Sequence, residues 1–115
     1  MLKFALIAVS LVAFSAHANF YEGNDLKKWS MALTKSNLGN RMSAQEQIEA
    51  SMFQGYIAGA FEVGEGVLFC IKDRTRLIQL TDTVTNYVNS NPEKLNDTAA
   101  NVIVDALATS FPCKK

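Results

Sequence analysis

The sequence predicts an all-α fold, a small four-helix bundle-like domain stapled by one disulfide, and three observations predict it. Apolar residues recur at helical spacing in four segments, each opened by a capping residue and closed by glycine, asparagine or proline. No pair of alternating runs joined by a tight turn marks a sheet. The only two cysteines, Cys70 and Cys113, stand in a chain whose start reads as an export signal, so they are expected to pair where thiols oxidise.

The start of the chain is expected to leave before folding. Lys3 supplies a basic end, Phe4 to Phe14 an apolar core broken only by Ser10, and Ala16-His17-Ala18 a small-x-small motif, so residues 1–18 read as a signal peptide cleaved after Ala18. Its apolar run is shorter than the roughly 18 to 20 residues of a spanning helix, and no later run is longer, so no membrane insertion of the mature chain is expected. Residues 19–115 then form one domain, small enough to gain from a covalent staple. The chain-entropy model gives roughly 4 kcal/mol for the loop closed between the two cysteines.

In the mature chain, Asn24 is placed to cap a first helix with Asp25 in its first turn. Leu26, Trp29 and Leu33 follow at helical spacing, which predicts a helix from about Asp25 to Thr34. Ser36 to Met42 lacks a period and reads as a loop. Ser43 and Glu46 have capping-box spacing and open a second helix that should end near Gly64 or Gly66. Ile48, Met52, Tyr56, Gly59 and Val63 make one stripe on it and Phe53, Ile57 and Phe61 another, so it reads as a central helix, apolar on two sides. Gly55 and Gly59 each lower helix propensity by about 1 kcal/mol and predict a face that another helix approaches closely.

Val67-Leu68-Phe69 is expected to deliver Cys70 into the core, as strand or extended linker. After the charged turn Lys72-Asp73-Arg74, Thr75 is a candidate cap for a third helix with Leu77, Leu80, Val84, Tyr87 and Val88 on one face. Asn89-Ser90-Asn91-Pro92 stops it. Glu93 to Asn96 connects to a last helix, capped by Asn96 or Asp97, that carries Ala99, Val102, Ile103, Ala106, Leu107 and Ser110 and ends at Phe111-Pro112-Cys113.

Composition excludes several function classes. The chain has 11 basic and 11 acidic residues, and loss of Lys3 with the signal leaves the mature form slightly acidic, so it has no nucleic-acid footprint. The single histidine, His17, leaves with the signal, taking the commonest general base and metal ligand. Its serines match no G-x-S-x-G elbow. Glu46 and Glu49, like Glu62 and Glu65, read as a solvated helix face rather than a catalytic carboxylate pair. The glycines from Gly55 to Gly66 follow no strand and carry no phosphate-loop signature. Met31, Met42 and Met52 read as core filling, and the sequon Asn96-Asp97-Thr98 as helix-cap chemistry. No catalytic residue, cofactor or metal site is expected.

Gly55-Tyr56-Ile57-Ala58-Gly59, then Cys70, then Leu80, Val84 and Tyr87 before Pro92, then Ala106-Leu107 and the closing Phe111-Pro112-Cys113, resemble the Rap1a/Tai family of periplasmic immunity proteins of bacterial type VI secretion. The resemblance spans about Phe20 to Cys113. It implies a small helical, disulfide-bonded, often dimeric protein that binds and blocks a cell-wall amidase effector delivered by sister cells. The family often carries a second cysteine pair where this chain has Ser30 and Phe53. Their joint replacement is coherent, since a lone partner would leave a reactive thiol and Phe53 can substitute burial for a crosslink.

The leading expectation is a non-enzymatic periplasmic inhibitor whose partner is a secreted peptidoglycan amidase, acting as a homodimer and using a loop to fill the amidase cleft. The first candidate loop is Asn89, Asn91, Pro92, Glu93, Lys94 and Asn96, stiffened by Pro92 and anchored by a helix at each end. The second is Lys72, Asp73, Arg74 and Arg76. An ordinary solvent-exposed connection is the competing reading for both. A periplasmic chaperone or helical binding module without an amidase partner is the alternative function, disfavoured because no histidine remains to sense pH.

Overall fold

The computed structural model describes residues 20–114, and the signal-peptide reading of residues 1–18 lies outside them. Four helices follow in chain order, α1 (Gly23–Asn37), α2 (Ala44–Gly64), α3 (Leu77–Ser90) and α4 (Ala99–Ser110), with a single 3₁₀ turn, Pro92–Lys94, before the last. Among the described residues β-type pairing is limited to two isolated bridges, Glu22 with Thr98 and Glu65 with Phe69. The fold is all-α, and Cys70 is bonded to Cys113. No described helix is long and apolar enough to cross a membrane.

The helical periods converge on one core. Leu26, Trp29 and Leu33 of α1 meet Phe53 and Ile57 of α2, Leu80, Val84 and Val88 of α3, and Val102, Ile103 and Leu107 of α4. Full burial of side chains of this size stabilises by about 1.5–3 kcal/mol each. Phe53 is fully buried, as is Ser30, whose hydroxyl donates to the Lys27 carbonyl at 2.7 Å. Tyr21 packs edge-on against Trp29 at 4.8 Å and reaches Tyr56 at 6.0 Å, which ties the lead segment to α1 and α2.

Two ion pairs cross the seam between α1 and α2, Lys28–Glu49 at 3.1 Å and Lys35–Glu46 at 2.7 Å. They correct the solvated-face reading of Glu49. Its carboxylate is buried and takes both Lys28 and, at 3.2 Å, the Gln45 amide, partners that offset its loss of water. Of the three methionines assigned to the core, Met42 and Met52 pack against it and Met31 is exposed.

Three of the four helix starts depart from the sequence expectation, α1 because a distant segment supplies partners and α3 and α4 because of partners three residues on. α1 begins at Gly23, capped by Glu22 rather than Asn24, because the N–H groups of Gly23 and Asn24 already donate to the Asp97 and Leu95 carbonyls, each at 2.9 Å. α2 starts as expected, with the Glu46 N–H on Ser43 Oγ at 3.1 Å and the Ser43 N–H on Glu46 Oε1 at 3.2 Å. α3 is capped by Arg76 instead of Thr75, the Arg76 N–H donating to Gln79 Oε1 at 2.8 Å. Thr98, one residue past Asp97, caps α4 by accepting the Asn101 N–H at 3.2 Å. Asp97 still contributes, since its Oδ1 accepts the Thr98 N–H at 2.7 Å. Ser110, assigned to the inner face of α4, is exposed.

Val67-Leu68-Phe69 forms neither strand nor linker but a tight hook. Gly66, at φ +82°, turns the chain so that its N–H donates to the Phe69 carbonyl at 2.8 Å. Phe69 is driven fully into the core while Val67 and Leu68 stay exposed. The hook leaves Cys70 only half-buried and Cys113 exposed, so the disulfide sits at the surface and not in the core.

Candidate functional site

The first candidate loop is exposed at its tip and tied down behind it. Asn91 closes α3 twice, its N–H and its Nδ2 donating to the Tyr87 carbonyl at 3.0 and 2.8 Å. Pro92, Glu93 and Lys94 follow as the exposed 3₁₀ turn, and Leu95 then turns inward and is buried. Behind the tip, the two bonds from Gly23 and Asn24 hold the backbone, Asn24 Nδ2 donates to Asn96 Oδ1 at 3.2 Å, and the Ala99 N–H donates to the Tyr21 carbonyl at 2.9 Å. A Cβ at Gly23 would lie 2.7 Å from Leu95 Cα, so this approach requires glycine there. Asn89 is exposed on α3 and stands apart, beside Thr85 and Met31.

The second candidate loop is held differently. The Cys70 N–H donates to the Phe111 carbonyl at 2.8 Å beside the disulfide, whose Cα atoms are 4.7 Å apart, and the Ile71 N–H donates to Glu65 Oε1 at 3.3 Å. Lys72, Asp73, Arg74 and Arg76 are all exposed. Between this loop and the chain's end lies a cleft of about 450 Å³, with Ile71, Phe111 and Pro112 as apolar lining and Lys72, Arg74 and Lys114 as cations. Lys72 and Lys114 share the lining of this cleft. Lys114, and to a lesser extent loss of water, holds Lys72 below the usual lysine range. Beside the cleft a polar groove of about 290 Å³ runs along α3, lined by Thr83, Asn86, Tyr87, Ser90, Asn91 and Ser110.

The close-packing role of Gly55 and Gly59 is not met within the described chain. Both are exposed, and nothing lies within 4 Å of a Cβ built on either. Of the stripe Ile48, Met52, Tyr56, Gly59 and Val63, Met52 and Tyr56 are half-buried against the core that Phe53 and Ile57 enter, while Ile48, Gly59 and Val63 face outward, with Ile48 54% and Val63 84% exposed. α2 is therefore buried on one side, not two. Its outer side forms an apolar groove of about 480 Å³, completed by Leu68 of the hook and by Ala100 and Val104 of α4, and no charged residue lines it.

Sequence reasoning missed Lys114, Gln79 and the outer face of α3. Nothing local marks Lys114, which becomes a partner of Lys72 only because Cys113 next to it is bonded to Cys70. Gln79 carried a usable signal: three residues after Arg76, it has the spacing of a side chain that reaches back to cap its own helix.

The tied loop, the surface disulfide and all of the cleft's lining except Lys114 lie inside one matched region. A family model for Rap1a immunity proteins matches residues 22–113, nearly all of the described chain. No curated relative matches at a significant level. A match over that length covers all four helices and both cysteines, and the chain belongs to the family of Rap1a immunity proteins.

Proposed function

We propose that the mature chain, residues 19–115, is exported to the periplasm and there binds a type VI cell-wall amidase delivered by sister cells, closing its cleft without catalysis of its own. Membership of the immunity family supports the class of partner. The observation that carries the mode of action is the connection Asn89 to Asp97, whose exposed tip stands on a backbone already fixed by α1. A loop ordered before binding loses little conformational freedom on docking, so more of its contact energy appears as affinity. Titration of wild type against the amidase encoded beside its gene, read by calorimetry and by residual cell-wall hydrolysis, tests the reading. Reversing the charges of Glu93 and Lys94 should weaken inhibition while moving stability by less than about 0.5 kcal/mol. If wild type neither binds nor inhibits, the immunity reading against an amidase fails.

The outer side of α2 supports a homodimer. Gly55 and Gly59 lie one turn apart in an apolar, uncharged groove, a surface that a second copy fits without burying any charge. Gly59→Leu should leave the folded monomer intact, because its side chain meets open space, and should lower the dimer fraction measured by sedimentation. An unchanged dimer would place the contact elsewhere, and a wild type that stays monomeric would remove it.

A further inference from the structure

The basic cleft and the polar groove along α3 meet, because Ser110 lines both. From the cleft the lining passes Gln79, then Thr83, Asn86 and Ser90, and ends at Asn91 beside the 3₁₀ turn. Steps of four, three and four residues keep these side chains on one face of a helix. All of them are uncharged hydrogen-bonding groups. Gln79 to Asn91 spans about 18 Å at the helical rise, the length of about five residues of extended chain.

At the cleft end of this face the charges are unbalanced. The ion pairs among the described residues are Lys28–Glu49 and Lys35–Glu46, and neither lies in the cleft. Asp73 is the one acidic residue in its lining, against Lys72, Arg74 and Lys114. Folding therefore places Lys72 and Lys114 on one partly apolar wall, and among the described residues no carboxylate is paired with either, an arrangement of like charges that an anion relieves. A nucleic-acid backbone would need a longer basic stripe than these three cations offer.

We propose that this groove receives an extended acidic segment of a partner polypeptide, its backbone hydrogen-bonded by the amide and hydroxyl side chains of α3 and the side-chain carboxylates at its acidic end seated between Lys72, Arg74 and Lys114. The proposal rests on the immunity reading only for the partner's identity. The two candidate loops then become the ends of one recognition track, the tied loop at Asn91 and the cationic cleft at Lys72. Carboxylate binding relieves the repulsion between Lys72 and Lys114 in addition to forming charge-assisted hydrogen bonds, so it should weaken as salt rises.

The test uses the mature protein, its disulfide intact, and two capped peptides, acetyl-Gly-Ser-Gly-Glu-Glu-amide and its counterpart with both glutamates replaced by glutamine. In ¹⁵N–¹H spectra the acidic peptide should shift the amides of Lys72, Arg74, Thr83, Asn86 and Lys114 saturably, and the neutral one should bind at least about tenfold more weakly. Lys72→Glu with Lys114→Glu should abolish the response while the remaining spectrum stays that of the folded protein. Equal shifts from both peptides, no shifts, or shifts that survive the double substitution overturn the proposal. Inorganic phosphate reproducing the whole pattern, α3 included, also overturns it, because a small anion cannot span the groove. The amidase titration is separate: peptide binding with no amidase binding leaves the groove and removes the amidase, and the reverse outcome leaves immunity and removes the groove.

Discussion

The two connections on either side of α3 do opposite things with short stretches of mostly polar chain. The one leading out of α3, from Asn91 to Thr98, is tied by backbone hydrogen bonds to a different part of the molecule and buries Leu95 as an anchor. The one leading into α3, from Ile71 to Arg76, buries no side chain and is fastened near one end by the disulfide and at the other by Gln79. The first is held by the fold, the second by a covalent bond. A rigid loop suits insertion into a preformed cleft, and a loosely held cationic segment suits adjustment around an anion, so one domain has room for both kinds of contact.

Cutting the covalent tie should have the largest effect and should fall unevenly. Cys113→Ser is expected to lower unfolding stability by about 4 kcal/mol, from the freedom returned to the unfolded chain. Hydrogen exchange should show Cys70 and Ile71 losing protection first, with the amides of Gly23, Asn24 and Ala99 protected until global unfolding. Equal loss in both connections would show that they are not independent. Leu95→Ala comes next, at about 2–3 kcal/mol for a buried leucine truncated to a cavity, read from urea melts. It should loosen the Asn91–Thr98 connection and leave the other unchanged. Gly23→Ala should cost about 1–2 kcal/mol by forcing α1 away from Leu95, and a neutral result would mean that the loop backbone yields to the added methyl.

This contrast also marks where reading the sequence stops. Leu80, Val84 and Val88, or Val102, Ile103 and Leu107, are legible because helical periodicity and burial are one fact seen twice. Ser43 is legible as a cap because its partner is three residues away. Glu22 wins over Asn24 because long-range hydrogen bonds to Asp97 and Leu95 decide, which a local window does not hold, whereas Arg76 and Thr98 are set by Gln79 and Asn101, partners three residues on. The stripe through Gly55 and Gly59 is the sharper case. Its period is the same whether the face packs inside the chain or against another copy, so sequence alone does not say that no helix of this chain approaches it. The Lys72–Lys114 pair is invisible for a related reason: 42 residues separate the two, and a disulfide brings them together.

The connection between α1 and α2 supplies a third regime against which the other two can be measured, and the smallest expected effect. It is bracketed by Lys35 and Glu46, with the lysine Nζ at 2.7 Å from Glu46 Oε2 and 3.0 Å from Oε1. That lysine first, and then the Ser43 N–H, hold the Glu46 carboxyl below its ordinary value of 4.5. A carboxyl whose folded value is depressed contributes stability that is fully present above its unfolded value and is lost as pH falls through the folded one. The gap in urea midpoint between wild type and Glu46→Gln should therefore be open at neutral pH and close as the solution is acidified below 4.5. Salt should narrow the same gap, because the lysine is substantially exposed and its attraction is screened. A gap that stays constant with pH would assign the glutamate's contribution to its uncharged hydrogen bonds. The α1–α2 connection would then belong with Asn91–Thr98, held by the fold.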